Sequence, residues 1–313
     1  MLEIAERVDP AFREDVLAGL SAPIPAVPAR WLYDRRGSEL FDEITRLPAY
    51  YPTRTETALL KEILPDIAAR VHAGAAVVEF GAGSATKTPL LLEALKPAAY
   101  VPVDISGDYL RESAVAVSDQ FPAIAVEPVV ADFARPFDLP ESIANIPKLG
   151  FFPGSTIGNF EPEAVVRFLR NCAELLGPGG EMLIGADLKK EPEILEAAYN
   201  DRAGINAAFN LNLLERINRE LGGDLDVDRF EHLALYNEEQ GRMELYVRST
   251  AEQSATISGR RFNFAAGERI HTENSYKYAI DEFHALARRA GFAPVHTWTD
   301  QHDLFSVHYF RQG

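Results

Sequence analysis

Val77-Val78-Glu79-Phe80-Gly81-Ala82-Gly83-Ser84-Ala85-Thr86-Lys87-Thr88 is the stretch from which the fold is read. The apolar run from Ala75 to Val78 has the length and composition of a buried strand. Two glycines break it, and Thr88 as N-cap with Pro89 at the first helical position predicts the start of a helix. Strand, glycine turn and helix are the order in which a doubly wound sheet brings backbone N–H groups to a ligand. A Cβ at such a turn would hold the ligand away from the main chain. Glu79, at the strand's end, can take a ligand's hydroxyls or amine. Gly-x-Gly turns also occur in ordinary loops, so the turn by itself does not settle a site.

The strands that follow add to it. Ala99-Tyr100-Val101-Pro102-Val103-Asp104 reads as a second strand ending in an acid, the place from which a nucleotide-binding fold holds ribose hydroxyls. A third strand, Val126 to Ala131, runs into Asp132-Phe133, an acid and an aromatic able to frame an adenine. Consecutive strands ending in Glu, Asp and Asp point to a nucleoside pocket. The turn lacks the third glycine of G-x-G-x-x-G, which argues against a nicotinamide enzyme. The pattern resembles the Rossmann-like S-adenosylmethionine-dependent methyltransferases. Leu176-Gly177-Pro178-Gly179-Gly180-Glu181-Met182-Leu183-Ile184, and Ala290-Gly291-Phe292 before a terminal strand pair, resemble the same class.

The 313 residues can hold one large domain or two small ones, and 47% hydrophobic with 25% charged residues is a soluble, globular composition. No apolar run approaches the roughly 20 residues of a membrane helix. The acidic start, Met1-Leu2-Glu3-Ile4-Ala5-Glu6, has no apolar core of a signal peptide. The single cysteine, Cys172, excludes an internal disulfide and fits a reducing cytoplasm. A net charge of −16 repels phosphate backbones and anionic lipid, so neither nucleic acid nor membrane is expected as a partner. The chain is expected to act as a monomer.

Along the chain, an amphipathic helix over about Pro10 to Ala18 stops at Gly19, and a proline-spaced connector leads to Trp31. A short helix with Leu40, Phe41 and Ile44 at core spacing follows. Pro48 and Pro52 disfavour helix in the residues before them, which predicts extended backbone at Tyr50 and Tyr51. Thr53-x-x-Glu56 has the form of a capping box for the next helix. Tyr33, Tyr50 and Tyr51, taken singly, read as aromatic packing.

Residues 57–190 alternate helix and strand as a parallel sheet requires. A short strand, Leu149 to Phe152, runs into Pro153-Gly154-Ser155-Thr156-Ile157-Gly158-Asn159, at the strand end where open sheets bind ligands. Pro162 and Gly177 bracket a helix whose apolar stripe includes Cys172, which is therefore core. Between the strand Met182 to Ala186 and the last helix, Ile280 to Ala290, lie about ninety residues, too many for a loop. They read as helix from Pro192 to Leu221, interrupted near Gly204, then antiparallel strands. The expected organisation is a methyltransferase core, 57–190 plus 280–313, and a substrate-binding lobe, 1–56 plus 191–279. Seven scattered histidines show no metal-ligand spacing; His232, His296 and His308 read as structural, and no metal is expected.

Stretches outside the cofactor fold resemble one family, the bacterial L-histidine Nα-methyltransferases of ergothioneine biosynthesis. They are Trp31-Leu32-Tyr33-Asp34 with Gly37-Ser38-x-Leu40-Phe41, Leu47-Pro48-x-Tyr50-Tyr51-Pro52-Thr53-Arg54-x-Glu56, Gly154-Ser155-Thr156-Ile157-Gly158-Asn159, Tyr199-x-Asp201-x-Ala203-Gly204-x-x-Ala207-Ala208-Phe209-Asn210, and Thr272-Glu273-x-Ser275. The resemblance implies that Gly81, Lys87, Asp104, Asp132 and Phe133 bind S-adenosylmethionine. It implies that Tyr50, Asn159 and Tyr199 hold the amino acid's backbone end, that Glu273, Asn274 and Ser275 hold its imidazole, and that Tyr33 lies near the reacting nitrogen. Tyr33, Tyr50 and Asn159 are then the catalytic set, with trimethylation of L-histidine to hercynine as the reaction. Leu245 stands where these enzymes often have methionine, and fungal relatives that methylate indole-bearing amino acids share the fold. The alternatives are an N-methyltransferase of another aromatic amino acid and a methyltransferase-like binding protein without turnover. Methyl transfer is an in-line displacement, so the chain's task is positioning. On a strand Glu273 and Ser275 point the same way, suited to the two ring nitrogens of an imidazole.

Overall fold

The computed structural model describes residues 9–83 and 87–313. The acidic N-terminal start and Ser84, Ala85 and Thr86 of the glycine turn lie outside the described residues. In chain order the helices and strands begin with α1 (Pro10–Gly19), α2 (Arg35–Ile44), α3 (Tyr51–Arg70), β1 (Ala76–Phe80), α4 (Thr88–Leu95), β2 (Ala99–Asp104) and α5 (Gly107–Gln120). Next come β3 (Ala125–Val126), β4 (Val129–Val130), β5 (Lys148–Phe152), α6 (Pro162–Leu176), β6 (Glu181–Asp187), α7 (Pro192–Tyr199) and α8 (Ile205–Leu221). The chain ends with β7 (Phe230–Asn237), β8 (Arg242–Ser249), β9 (Gln253–Ile257), β10 (Arg260–Phe264), β11 (Arg269–Tyr276), α9 (Ile280–Arg289), β12 (Phe292–Thr299) and β13 (Phe305–Gln312). It divides into two compact units, Met1–Tyr50 with Glu191–Asn274, and Tyr51–Lys190 with Ser275–Gly313.

The second unit is built on a sheet ordered β12-β13-β6-β5-β1-β2-β3, with β4 also paired to β2. Strands β1, β2, β5 and β6 run parallel, and β13 lies antiparallel between β6 and β12. The expected third strand is split at Glu127-Pro128, because proline has no N–H to give the ladder. Both faces of the sheet are covered, as the unbroken apolar run in β1 requires. Val78 packs on the α6 and α9 side with Val165, Leu169, Cys172 and Phe283. Its neighbour Val77 packs on the other side with Leu60, Ile63, Leu91 and Leu92 from α3 and α4. Strand order reverses between β1's two neighbours, β2 and β5, which opens the crevice where such sheets bind ligands.

Two local expectations change. Helix α3 already includes Tyr51, with Pro52 second, where its missing N–H is one the first turn leaves unpaired anyway. Thr53 and Glu56 therefore lie inside the helix, and Glu56 is no cap. Likewise Lys87 is the N-cap residue of α4 and Thr88 is its first helical residue.

The first unit pairs α1, α2, α7 and α8 with a three-stranded sheet, β11-β8-β7, and a β9–β10 hairpin. Strand β8 alternates strictly, turning Met243, Leu245, Val247 and Ser249 to the buried face. The Trp31 to Gly37 stretch has a local cause: Asp34 caps α2 through the Gly37 N–H at 2.8 Å, and a Cβ on Gly37 would lie 1.7 Å from the Leu32 carbonyl oxygen.

Candidate active site

In the second unit the turn after β1 holds Gly81 at φ +68° and Gly83 at φ +46°, both in the left-handed region that favours glycine. A Cβ on Gly81 would lie 3.4 Å from the Phe133 ring, an ordinary contact, so the backbone conformation and not the space calls for glycine there. Asp104, ending β2, accepts from the Gly83 N–H (3.1 Å) with one oxygen and the Ser106 N–H (2.9 Å) with the other. Each carboxylate oxygen keeps further acceptor capacity, as an acid reading ribose hydroxyls needs. Asp132 accepts from the Ala134 N–H at 3.1 Å, and Phe133 meets Phe152 and Phe168 edge-on. A nucleoside with a hydroxylated ribose fits this donor and acceptor set.

Glu79 differs from its expectation. It is 2% exposed and accepts from the Thr88 hydroxyl and the Tyr100 phenol, each at 2.6 Å. Burial pushes its carboxyl up to about 7 against those two hydrogen bonds. It braces the glycine turn against α4 and β2. Lys87 contacts the buried carboxylate of Glu56, which also accepts from the Gly154 N–H at 2.9 Å. Thus Glu56, which resembles a cap in sequence, ties the expected cofactor lysine to the loop after β5. That loop is held at three points. Ser155, at φ +57°, accepts from the Asp187 N–H (2.9 Å); Gly154 is tied to Glu56; and a Cβ on Gly158 would lie 2.7 Å from the Tyr276 carbonyl oxygen. Asn159 closes the 3₁₀ turn Thr156–Asn159 that follows.

The first unit gathers Tyr33, Tyr50, Tyr199 and Glu273. The Tyr33 hydroxyl donates to Glu273 Oε1 at 3.4 Å, from 240 residues away, and the Tyr50 and Tyr199 rings stand edge to face at 6.0 Å. Phe41 and Phe209 complete the aromatic wall behind Tyr33. Burial, then Glu273 and the other two phenols, pushes Tyr33 well above the usual tyrosine range. It is therefore a protonated phenol that donates, not a phenolate base. The Tyr199 backbone carbonyl is 2.9 Å from His232 Nε2, whose Nδ1 lies 2.9 Å from the Asn210 amide nitrogen. Since that amide can only donate, Nε2 carries the hydrogen and donates to Tyr199. Burial keeps His232 below its usual pKa, hence neutral. Sequence reading marks His232 as structural; it fixes a residue expected at the substrate. Asp201 accepts from the Ile205 and Asn206 N–H groups and so starts α8. Asn274 Oδ1 pairs with His271 Nε2 at 2.8 Å, and Leu245 lies on the buried face of β8 with Met243. Ser275 belongs to the second unit, where its oxygen accepts from Lys277 Nζ at 2.8 Å. Among the described residues no group of three or more His, Cys, Asp or Glu could hold a metal ion, and no helix is long and apolar enough to cross a membrane.

Parallel strands ordered about β1, a reversed strand beside β6, a glycine turn and acids ending successive strands define a Rossmann-like, S-adenosylmethionine-dependent methyltransferase. The family model for histidine-specific, S-adenosylmethionine-dependent methyltransferases matches residues 12–312, and the chain belongs to that family. A histidine N-alpha-methyltransferase of Mycolicibacterium smegmatis is 40% identical over 306 residues, 95% of this chain and 93% of that protein. Another, from Mycobacterium tuberculosis, is 37% identical over 95% of this chain and 94% of its own length. Ergothioneine biosynthesis protein 1 of Neurospora crassa is 32% identical over 87% of this chain, which spans 32% of that longer protein.

Proposed function

We propose that this protein transfers three methyl groups from S-adenosylmethionine to the α-amino nitrogen of L-histidine, giving hercynine for ergothioneine biosynthesis. The observation that carries the reading is the joining of Tyr33 to Glu273 within the aromatic group of Tyr50 and Tyr199. It sets a carboxylate able to accept a ring N–H among phenols able to orient an amine. On this reading the enzyme is a cytoplasmic monomer acting on the free amino acid, with no metal, nucleic acid or membrane.

S-adenosylmethionine, when bound, supplies an electrophilic methyl on a sulfonium. Gly81, Asp104, Asp132 and Phe133 would hold its nucleoside, and Lys87 its carboxylate. The chain's residues then present one nitrogen along one line. The α-amino group of a free amino acid is largely protonated at physiological pH, so the nitrogen must give up a proton before its lone pair can meet the methyl. Tyr50, Tyr199 and Asn159 hold the amino acid's backbone end, and Tyr33, kept protonated, orients the nitrogen by its hydroxyl. Glu273, Asn274 and Ser275 read the ring. The test is mass spectrometry of purified protein incubated with S-adenosylmethionine and the twenty amino acids. A gain of three methyls on histidine is the expected result; transfer to tryptophan or phenylalanine instead, or none, overturns the reading.

A further inference from the structure

The second unit contains a buried polar cluster to which the roles above give no work. Asp187, at the end of β6, and Lys277, just after β11, are 0% and 1% exposed and pair at 2.8 Å. The Tyr278 N–H donates to the Asp187 carbonyl at 3.0 Å, so backbone pairing sets the two side by side. Asp187 also accepts from the Tyr51 hydroxyl (2.7 Å) and from Lys190 (2.5 Å). Burial by itself would raise the Asp187 carboxyl, but the two ammonium groups outweigh it and hold it below its ordinary range. One lysine would neutralise that carboxylate. With Lys190 already on Asp187, a second buried ammonium is costly to keep unless it serves another contact.

One such contact is Ser275, whose Oγ lies 2.8 Å from Lys277 Nζ. An ammonium only donates, so the serine oxygen accepts there. Accepting from a cation also polarises the O–H and makes its hydrogen a stronger donor. We propose that Lys277 is a positioning residue that sets Ser275 as a hydrogen-bond donor toward the side chain of the amino-acid substrate, so that the site selects a ring with an unprotonated nitrogen. The proposal rests on the reading above, in which Ser275 faces the substrate's ring. A neutral imidazole carries one N–H and one lone pair, and only the lone pair can use that hydrogen. Tryptophan's indole has an N–H and no such lone pair.

The test compares L-histidine with 2-pyrrolyl- and 3-pyrrolyl-L-alanine, which keep a ring N–H at either imidazole position and lack the lone pair. Wild type should favour histidine over both, mainly through KM. Lys277→Met should narrow that preference by about tenfold, with kcat and S-adenosylhomocysteine affinity little changed. Lys277→Gln, which keeps an N–H donor, should recover part of it. Ser275→Ala should lose the same preference, and adding Lys277→Met to it should cost nothing further. If Lys277→Met no longer binds S-adenosylhomocysteine it has lost its fold, and Lys277→Gln against wild type decides. A preference unchanged in both Lys277 variants but lost in Ser275→Ala overturns this proposal alone. A preference unchanged in Ser275→Ala overturns the placement of the ring at Ser275 as well.

Discussion

Glu79 shows how a single residue can be read for its chemistry and used for its geometry. An acid at a strand end beside a glycine turn suggests a ligand contact, yet here its carboxylate is spent on Thr88 and Tyr100. Its folded pKa, raised to about 7 by burial, lies above the unfolded value of about 4.5. The folded state therefore binds more protons between those values. Glu79's contribution to stability is fully present below about pH 4.5 and is lost as pH rises through 7, a change of roughly 3 kcal/mol. Glu79→Gln cannot titrate and should flatten that dependence. Thermal unfolding of both proteins from pH 5 to 8 checks it: the wild type should lose stability relative to the variant as pH rises, and parallel curves would show that Glu79 keeps an ordinary pKa. Tyr33 makes the complementary case. Its burial leaves a donor, so a pH limb of the reaction in the neutral range does not come from this phenol.

At the scale of one element, the loop from Gly154 to Asn159 is positioned by contacts that its own sequence does not announce. Its glycines look like flexibility, but Gly158 is there for closeness: a Cβ would meet the Tyr276 backbone at 2.7 and 3.2 Å. Gly158→Ala must displace either the loop or the end of β11, and Asn159 is the next residue. Misplacing a positioning group by about an ångström costs on the order of a hundredfold. The variant should weaken L-histidine binding by roughly tenfold to a hundredfold while S-adenosylhomocysteine affinity changes by less than about twofold. Calorimetry with each ligand separates the two. Equal loss for both would mean a general distortion of the unit rather than a displaced Asn159.

For the whole molecule, the charge of −16 bears on ligands differently according to their own charge. S-adenosylmethionine has a net charge of about +1 at neutral pH, whereas S-adenosylhomocysteine and zwitterionic histidine are close to neutral. A uniformly acidic protein attracts the first over distances that salt shortens to a few ångströms. Raising sodium chloride from about 50 to about 500 mM should therefore weaken S-adenosylmethionine binding and leave S-adenosylhomocysteine binding nearly unchanged. Equal sensitivity of both would mean that the field at the site is not set by net charge.

The order of elements in the second unit is legible along the chain, because burial on both faces of a sheet demands unbroken apolar runs and because glycine and proline punctuate them. Strand β2 and the ends of α6 are legible for that reason, as is Cys172 on its apolar stripe. The family stretches likewise select the residues expected at the substrate. Which partner each polar group has depends instead on how the chain packs. Glu56 satisfies the local form of a capping box and serves instead to hold Lys87 and Gly154. His232 reads as structural, but that its ring holds the Tyr199 carbonyl shows only in space. Lys277 gives no signal at all, because Asp187, the charge that lets a lysine be buried beside Ser275, is brought to it only by backbone pairing with a distant stretch of chain. Apolar periodicity is a local property of the chain; the pairing of buried polar atoms is a property of distance in space, and sequence separation says little about it.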